Sequence, residues 1–473
     1  MSTAQRLVAG VDSSTQSTKV EVRDLDSGAV VARASSPHPP TTPPRSEQHP
    51  STWWHAFEQS WDRVGAPRVE AISVAGQQHG MVVLDSDLAA IRPAKLWNDT
   101  ESAPDAGWLV KQLPGGAADW AAAVGSVPVA AFTAAKLSWL HRREPDAWQR
   151  VAHVLLPHDW LTLQLTGALA TDRGDASGTG YWSPATGQYR WDLLSIIDRD
   201  FDWPSVLPRV AAPDEVVGEW NGARVACGTG DNMAAALGMA VRQGEAVVSL
   251  GTSGTAYTVA DHATTDVSGA VAGFADATGR YLPLVCTLNA TKVTDAVGRL
   301  LGVDHGSFDH LVLEAASGAG GLTLLPYFDG ERTPDLPAAS GTLHGLRSDV
   351  TRAQLGRAAV EGVVCGLLEA LDALARQAPV SSVVLTGGGA RSGSFRRVFA
   401  ELCDLPLSVT DADEAVAAGA CVQAGAVADG VSHAAIVERW RLGAREALAS
   451  VSVDRASVRG QYAAVRRAQH PAT

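Results

Sequence analysis

A pair of α/β domains of like fold is predicted by three features of the sequence. The chain has 473 residues, too many for one hydrophobic core, and its 46% hydrophobic against 19% charged residues is a globular balance. A strand, a hydroxyl-rich turn and a returning strand open the chain at 8–20 and recur at 245–259, about 240 residues later, half a chain away. Several β-branched runs end in glycine-rich turns that lead into helix-like segments, the pattern of sheets with helices against them. The recurrence divides the chain into domains 1–243 and 244–473.

Taken in order, the first strand ends at Asp12 in the polar run Ser13-Ser-Thr15-Gln-Ser17-Thr-Lys19. Runs of this kind are usually plain polar turns. Residues 20–23 and 29–33, about a turn at Asp26-Ser27-Gly28, complete a three-stranded meander. The proline-rich stretch 37–50 is an extended loop, and Trp53 lies in an amphipathic helix after it. Residues 69–75 form a buried strand that stops at Gly76-Gln77-Gln78-His79-Gly80. A histidine bracketed by glycines at a strand's carboxyl end stands where open α/β sheets bind ligands. A further extended run ends at Trp97-Asn98-Asp99, and 171–179 reads as a hydrogen-bonded loop with no single decisive residue.

Midway comes Cys227-Gly228-Thr229-Gly230-Asp231-Asn232, followed by a helix of small residues. The glycines allow a bend closed to other residues, and Asp231 falls at or just before a helix N-terminus. Carboxylates also favour that place as ordinary caps. In the second half, 383–386 is a strand leading to Gly387-Gly388-Gly389-Ala390, with a helix near Ser394 whose N-terminus is expected to face a nucleotide. A long helix is expected over 351–377, and a small-residue helix from 413 is expected to pack near the glycine triplet.

Composition narrows the function classes. A formal charge of −13 argues against nucleic acid or acidic membranes as partners. No run of eighteen apolar residues occurs, so no membrane span is expected, and the first residues lack a basic-then-apolar leader. Cys227, Cys286, Cys365, Cys403 and Cys421 are widely spaced without a CxxC, which points to neither disulfides nor zinc and to a cytoplasmic protein. Two glycosylation-like triplets, at Asn98 and Asn289, are accidents of a short pattern.

The chain has neither a Walker loop nor a strict GxGxxG. Glycine- and hydroxyl-rich turns after strands can instead hold a nucleotide through backbone amides. A carboxylate at the same sheet edge suits phosphoryl transfer to a hydroxyl, where positioning and charge neutralisation do most of the work. Nine stretches in order then carry a resemblance. They include Ser46-Glu-Gln-His-Pro-Ser-Thr-Trp-Trp54, Ala75-Gly-Gln-Gln-His-Gly80, Leu96-Trp-Asn-Asp99, Leu156-Pro-His-Asp159, Gly228-Thr-Gly-Asp-Asn232, Ser249-Leu-Gly-Thr-Ser-Gly254, Leu325-Pro-Tyr-Phe-Asp-Gly-Glu-Arg-Thr-Pro334 and Thr386-Gly-Gly-Gly-Ala-Arg391. Over about residues 7–426 the sequence resembles the FGGY family of carbohydrate kinases, and within it the branch that phosphorylates D-xylulose.

The resemblance implies two ribonuclease-H-like domains of the actin, Hsp70 and sugar kinase superfamily around a central cleft, the first binding sugar and the second nucleotide. It implies ATP and Mg2+, with a homodimer compatible. Carried over residue by residue, Asp231 is the general base on the sugar hydroxyl and Asp12 a Mg2+ ligand, with Asp231 beside the same ion. Gln78, His79, Asn98 and Asp99 meet the sugar. Thr15, Ser17, Gly251 and Thr252 lie by the phosphates, and Gly388, Gly389 and Ala390 line the adenosine site. Asp231 is expected to be ionised well below pH 7. Ser14 stands where many relatives have glycine, Gln78 where some have methionine and Glu101 where arginine is frequent. Kinases of ribulose, gluconate or glycerol, and a nucleotide-gated binding protein that transfers nothing, are the alternatives.

Overall fold

The computed structural model describes residues 5–410 and 414–471. Two compact units form: Met1–Ala240 with Asp261–Leu282 and Glu414–Gly443, and Val241–Ala260 with Pro283–Asp413 and Ala444–Thr473. The first passage between them falls close to the expected 243/244 boundary. Two later segments return to the first unit, so a single cut does not divide the chain. Neither has a periodicity that marks it as displaced; packing assigns them.

In the first unit, β1 (Leu7–Ser13), β2 (Ser17–Asp24) and β3 (Val30–Pro37) make the antiparallel meander, and β4 (Ala71–Gly76) runs parallel to β1 on its other side. With β5 (Val216–Trp220), β6 (Ala223–Ala226) and β7 (Thr229–Gly230), the sheet order is β5-β6-β4-β1-β2-β3, and β7 pairs with the end of β4. Every residue of β4 is buried, as a strand covered on both faces requires. On one face, Trp53 and Phe57 of helix Ser51–Arg63 and Trp160 and Leu163 of helix Pro157–Thr166 pack with Val11, Ile72 and Val74. Trp53 meets Trp160 edge to face with centroids 6.1 Å apart, a favoured aromatic arrangement.

The opposite face is built from small residues. Ala75, Ala234 and Ala420 form a cluster there, where helices Asp231–Gly238 and Ala415–Asp429 lie almost backbone to backbone. A Cβ on Gly419 would stand 1.9 Å from Ala234 O, one on Gly238 2.0 Å from Ala415 O, and one on Gly10 2.3 Å from Ala417 O. The small-residue helix therefore packs on the first unit's sheet and against the Asp231 helix, whereas the glycine triplet belongs to the second unit. Its lack of side chains serves approach to β1. The expected start at Asp413 lies outside the described residues.

In the second unit, β8 (Gly244–Leu250), β9 (Gly254–Thr258), β10 (Tyr281–Thr287), β11 (Val380–Thr386), β12 (Leu407–Val409) and β13 (Glu446–Leu448) lie in the order β10-β9-β8-β11-β12-β13. The orders β3-β2-β1-β4-β6 and β10-β9-β8-β11-β12 are the same, with the fourth and fifth strands parallel to their neighbours. Two like-folded α/β domains are thus present. The long helix, Arg352–Ala375, begins at a capping box: Thr351 Oγ1 accepts the Gln354 amide at 3.2 Å and Gln354 Oε1 accepts the Thr351 amide at 2.9 Å. Among the described residues no single helix is long and apolar enough to cross a membrane.

The Gly419 contact is testable. Gly419→Ala is expected to force the two helices apart and destabilise the protein by about 1–3 kcal/mol, as overpacking does. Thermal denaturation checks this, and an unchanged midpoint would show that the helices shift freely.

Candidate active site

β1 and β7 are both parallel neighbours of β4. Asp12 and Thr229 each pair with Ala75, and Gly230 pairs with Gly76. Asp12 and Asp231 therefore emerge at the same carboxyl edge, one on either side of β4. Two strand spacings set their backbones about 10 Å apart, close enough for carboxylates reaching inward to act on one group.

The turn to Asp231 depends on glycine twice. Gly228 has φ +76, and a Cβ there would stand 2.5 Å from Val74 O. A Cβ on Gly230 would stand 2.7 Å from Gln78 Cγ. Gly230 is the N-cap, in extended conformation, and Asp231 is the first helical residue. The Asp231 carboxylate does not cap later turns; its Oδ1 accepts the Asn232 amide at 2.8 Å and Asn232 Nδ2 at 3.0 Å. Asn232 Nδ2 also donates to Gln78 Oε1 at 2.9 Å. The amide thereby links the carboxylate to the Gln78 side chain.

Burial, then the Asp12 carboxylate, then Asp175 push Asp231 up to about 7. The expectation of a carboxylate ionised well below 7 is thus corrected: a half-buried site with like charges beside it favours the proton. Asp12 is pushed up to about 6, chiefly by burial, with Lys19 opposing. Lys19 Nζ lies 3.4 Å from Asp12 Oδ2 and 2.7 Å from Glu414 Oε2. The hairpin register pairs Lys19 with Asp12, a signal legible in the sequence. Asp12 Oδ1 is buried without a hydrogen-bond partner.

His79 sits beyond β4 with φ +66, a left-handed conformation rare outside glycine. Its Nδ1–H donates to Gly178 O at 2.7 Å, which leaves Nε2 as the acceptor in the neutral ring. Phe132 and Phe274 flank it, at 5.0 and 5.5 Å between centroids. Gln78 Nε2, Gln77 Nε2 and Asn98 Oδ1 are buried polar atoms without hydrogen-bond partners. Buried polar groups of this kind ordinarily find partners, and these three suit the hydroxyls of a polyol. The Thr15 hydroxyl donates to Gln77 Oε1 at 3.3 Å and accepts Trp97 Nε1–H at 2.8 Å. Ser14 Oγ donates to Ser17 O at 3.1 Å, so serine at 14 closes its own turn.

The second unit repeats the edge. The Gly251 and Thr252 carbonyls accept the Thr291 and Ala290 amides at 3.0 and 3.2 Å. The glycine triplet lies against the end of β8: a Cβ on Gly387 would stand 2.9 Å from Leu250 O, and one on Gly389 2.8 Å from Thr291 Cγ2. Gly388 is exposed with open space beside it, whereas Gly389 and Ala390 are buried. The next helix, Gly393–Leu402, does not offer its N-terminus as expected. Asp309 accepts from the Gly393 amide at 2.9 Å and from the Ser392 hydroxyl at 2.7 Å, which serves the dipole with a carboxylate of the chain itself.

Residues 7–238 match the N-terminal domain, and 246–428 the C-terminal domain, of the FGGY family of carbohydrate kinases. The chain belongs to this family. A xylulose kinase of Streptomyces rubiginosus is 46% identical over 461 residues, 95% of this chain and 93% of that one. One of Streptomyces coelicolor is 46% identical over 465 residues, 96% and 94% of the two chains. The crystal structure of xylulose kinase from Bifidobacterium adolescentis matches with a TM-score of 0.86 at 37% identity, covering 98% of this chain and 100% of the other.

In this FGGY kinase the residues expected at the sugar do not all share one duty. Gln78 and His79 bring polar atoms to the β4 edge, and Asn98 holds a buried, unpartnered Oδ1. Asp99 is already partnered: it is fully buried, and it accepts Lys95 Nζ at 3.1 Å, the Ser46 amide at 2.9 Å and the Glu101 amide at 3.1 Å. Lys95, itself fully buried over the Trp139 ring at 3.9 Å, also reaches Glu101 at 2.6 Å and Glu47 at 3.1 Å. Glu47, Asp99 and Glu101 thus surround an ammonium. Sequence reasoning missed Asn232 and Gly178. Asn232 adjoins the aspartate in a quoted motif, but its second acceptor, Gln78, comes from a distant segment. Gly178 left no signal beyond being a glycine.

A Cβ on Gly178 would stand 2.6 Å from the His79 ring. Gly178→Ala is expected to turn that ring and raise KM for sugar about tenfold or more, the scale of a displaced polar contact, while KM for ATP holds. Steady-state kinetics in both substrates checks this.

Proposed function

We propose that this FGGY carbohydrate kinase phosphorylates D-xylulose at its terminal hydroxyl, giving D-xylulose 5-phosphate and ADP. Likeness to xylulose kinases along nearly the whole chain supports the sugar. The observation that carries the chemistry is Asp231, held on a glycine turn at the edge that also presents Asp12, Gln78 and His79.

In this reading Gln78, His79 and Asn98 hold the ketose by its hydroxyls and orient the terminal one toward Asp231. Asp231 takes the hydroxyl proton as the oxygen bonds to the γ-phosphorus and the bond to the β,γ-bridging oxygen of ATP breaks. Asn232 keeps Oδ1 occupied, so the second carboxylate oxygen is the one aimed at substrate. Thr15, Ser17, Gly251 and Thr252 are assigned to the phosphates, and Gly388, Gly389 and Ala390 to adenosine. Asp99 is left out of the sugar contacts.

The residues present fit Mg2+: the buried, unpartnered Asp12 Oδ1 and the neighbouring Asp231 are hard oxygen donors whose mutual repulsion a cation relieves. Asp12 would hold the ion directly or through water, and when bound it neutralises phosphate charge. Cysteines without a pairing pattern support a cytoplasmic enzyme.

The test is ADP release with Mg-ATP against D-xylulose, D-ribulose, L-ribulose, D-fructose, glycerol and gluconate. D-xylulose is expected to be preferred, and Asp231→Asn to lose at least about 10³-fold in kcat while still binding ATP. Preference for another sugar would move the substrate; wild-type turnover of the variant would remove the base.

The acid limb of kcat/KM supplies a second check. A base must be ionised, so activity is lost as pH falls through the Asp231 value, about 7 without a cation. A bound cation favours the carboxylate, so raising Mg2+ is expected to move the limb to lower pH. Profiles at limiting and saturating Mg2+ that superimpose would count against the shared site.

A further inference from the structure

His158 is fully buried, and no step above uses it. Its Nδ1–H donates to Asp175 Oδ2 at 2.7 Å, while Nε2 lies 3.2 Å from Asp159 Oδ1 and 3.6 Å from Asp172 Oδ1. Both ring nitrogens face carboxylates, the setting of an imidazolium. Burial opposes that charge, and Asp159, Asp175 and Asp172 overcome it, raising His158 to about 10.

The ring is wedged under the two strand ends that carry the site. A Cβ on Gly76 would stand 2.9 Å from His158 Cβ, and one on Gly228 2.8 Å from His158 Cδ2. Asp172 Oδ2 accepts the Thr229 hydroxyl at 2.8 Å, two residues before Asp231, and the Gly174 amide at 2.7 Å. Asp172 Oδ1 accepts the Asp175 amide at 2.9 Å. The same loop supplies the Gly178 carbonyl to His79. Well-packed apolar residues stabilise a core as well as one cation among three buried carboxylates does; what such a cluster adds is a fixed geometry.

We propose that His158 is a positioning residue for phosphoryl transfer: by its hydrogen bond to Asp175, whose amide is held by Asp172, and by its charge beside Asp172, it fixes the Thr229 hydroxyl and the Gly178 carbonyl, and through them Asp231 and His79. This rests on Asp231 being the base. The effect falls on orientation of the reacting groups, so it appears in kcat and spares ATP affinity.

The test compares His158→Gln, which keeps polarity without charge, with His158→Lys, which keeps a cation. In the full chain, His158→Gln is expected to lower kcat about 100-fold, the effect of a ~1 Å misplacement, with KM for ATP within about twofold. His158→Lys is expected to recover at least about tenfold of that loss. Thr229→Val and Thr229→Ser give a milder pair that decides the matter if His158→Gln fails to fold. Valine removes only the hydrogen bond to Asp172 and is expected to lower kcat about tenfold; serine restores it. Folded His158→Gln with wild-type kcat, lysine no better than glutamine, or fully active Thr229→Val would each overturn the proposal. Because Asp231→Asn is measured alongside, loss of the base assignment reads separately: that variant would then turn over normally.

Discussion

Two carboxylates of like charge, Asp12 and Asp231, face one another at the end of a strand buried on both sides, and most of the first unit serves to keep them there. Left to water they would separate or protonate. The sheet denies separation, because β1 and β7 are both hydrogen-bonded in register to β4. Lys19, placed opposite Asp12 by the hairpin and tied to Glu414, relieves part of the repulsion. Burial and the remaining repulsion raise the proton affinity of Asp231. Strain from desolvated charge is tolerable here because the surrounding core is large and rigid.

That rigidity has an unusual source on one face. Large apolar side chains fill the side of the sheet bearing Trp53 and Trp160, while the other side is closed by backbone, through Gly10, Gly238 and Gly419. Helix Ala415–Asp429 comes from far along the chain to do this, and it bears on both β1, which carries Asp12, and the helix that Asp231 begins. Both halves of the acidic pair are thereby referenced to one helix. The return of Glu414–Gly443 to the first unit follows from the same requirement.

The repeated strand and turn units were legible because alternation, hydroxyl-rich turns and glycines are local signals. His79 and Asp231 stood out for the same reason, each beside a glycine where a strand ends, and Asp12 for ending a strand at a hydroxyl-rich turn. What was not legible depended on three-dimensional neighbours. The family pattern puts Asp99 near the sugar, and only its buried partner Lys95 assigns it otherwise. The helix after Ser394 looked open until Asp309 was found at its end. The Asp231 proton affinity needed the depth of the site and the company of Asp12. Loop 171–179 carries no decisive residue in its local pattern; its importance lies in Asp172, Asp175 and Gly178 touching three other segments, which no spacing in one sequence encodes.

The ammonium of Lys95 bears on how the loop around Asp99 can change. Glu101 closes a shell with Glu47 and Asp99 about a cation with no exposure to water, while Arg45 meets Glu101 from outside at 3.2 Å. An arginine introduced there alone would set three positive groups together and strip the lysine of a partner. The residues of this loop are therefore coupled: Lys95 and its three carboxylates balance one another, so a change of charge at one of them bears on the other three.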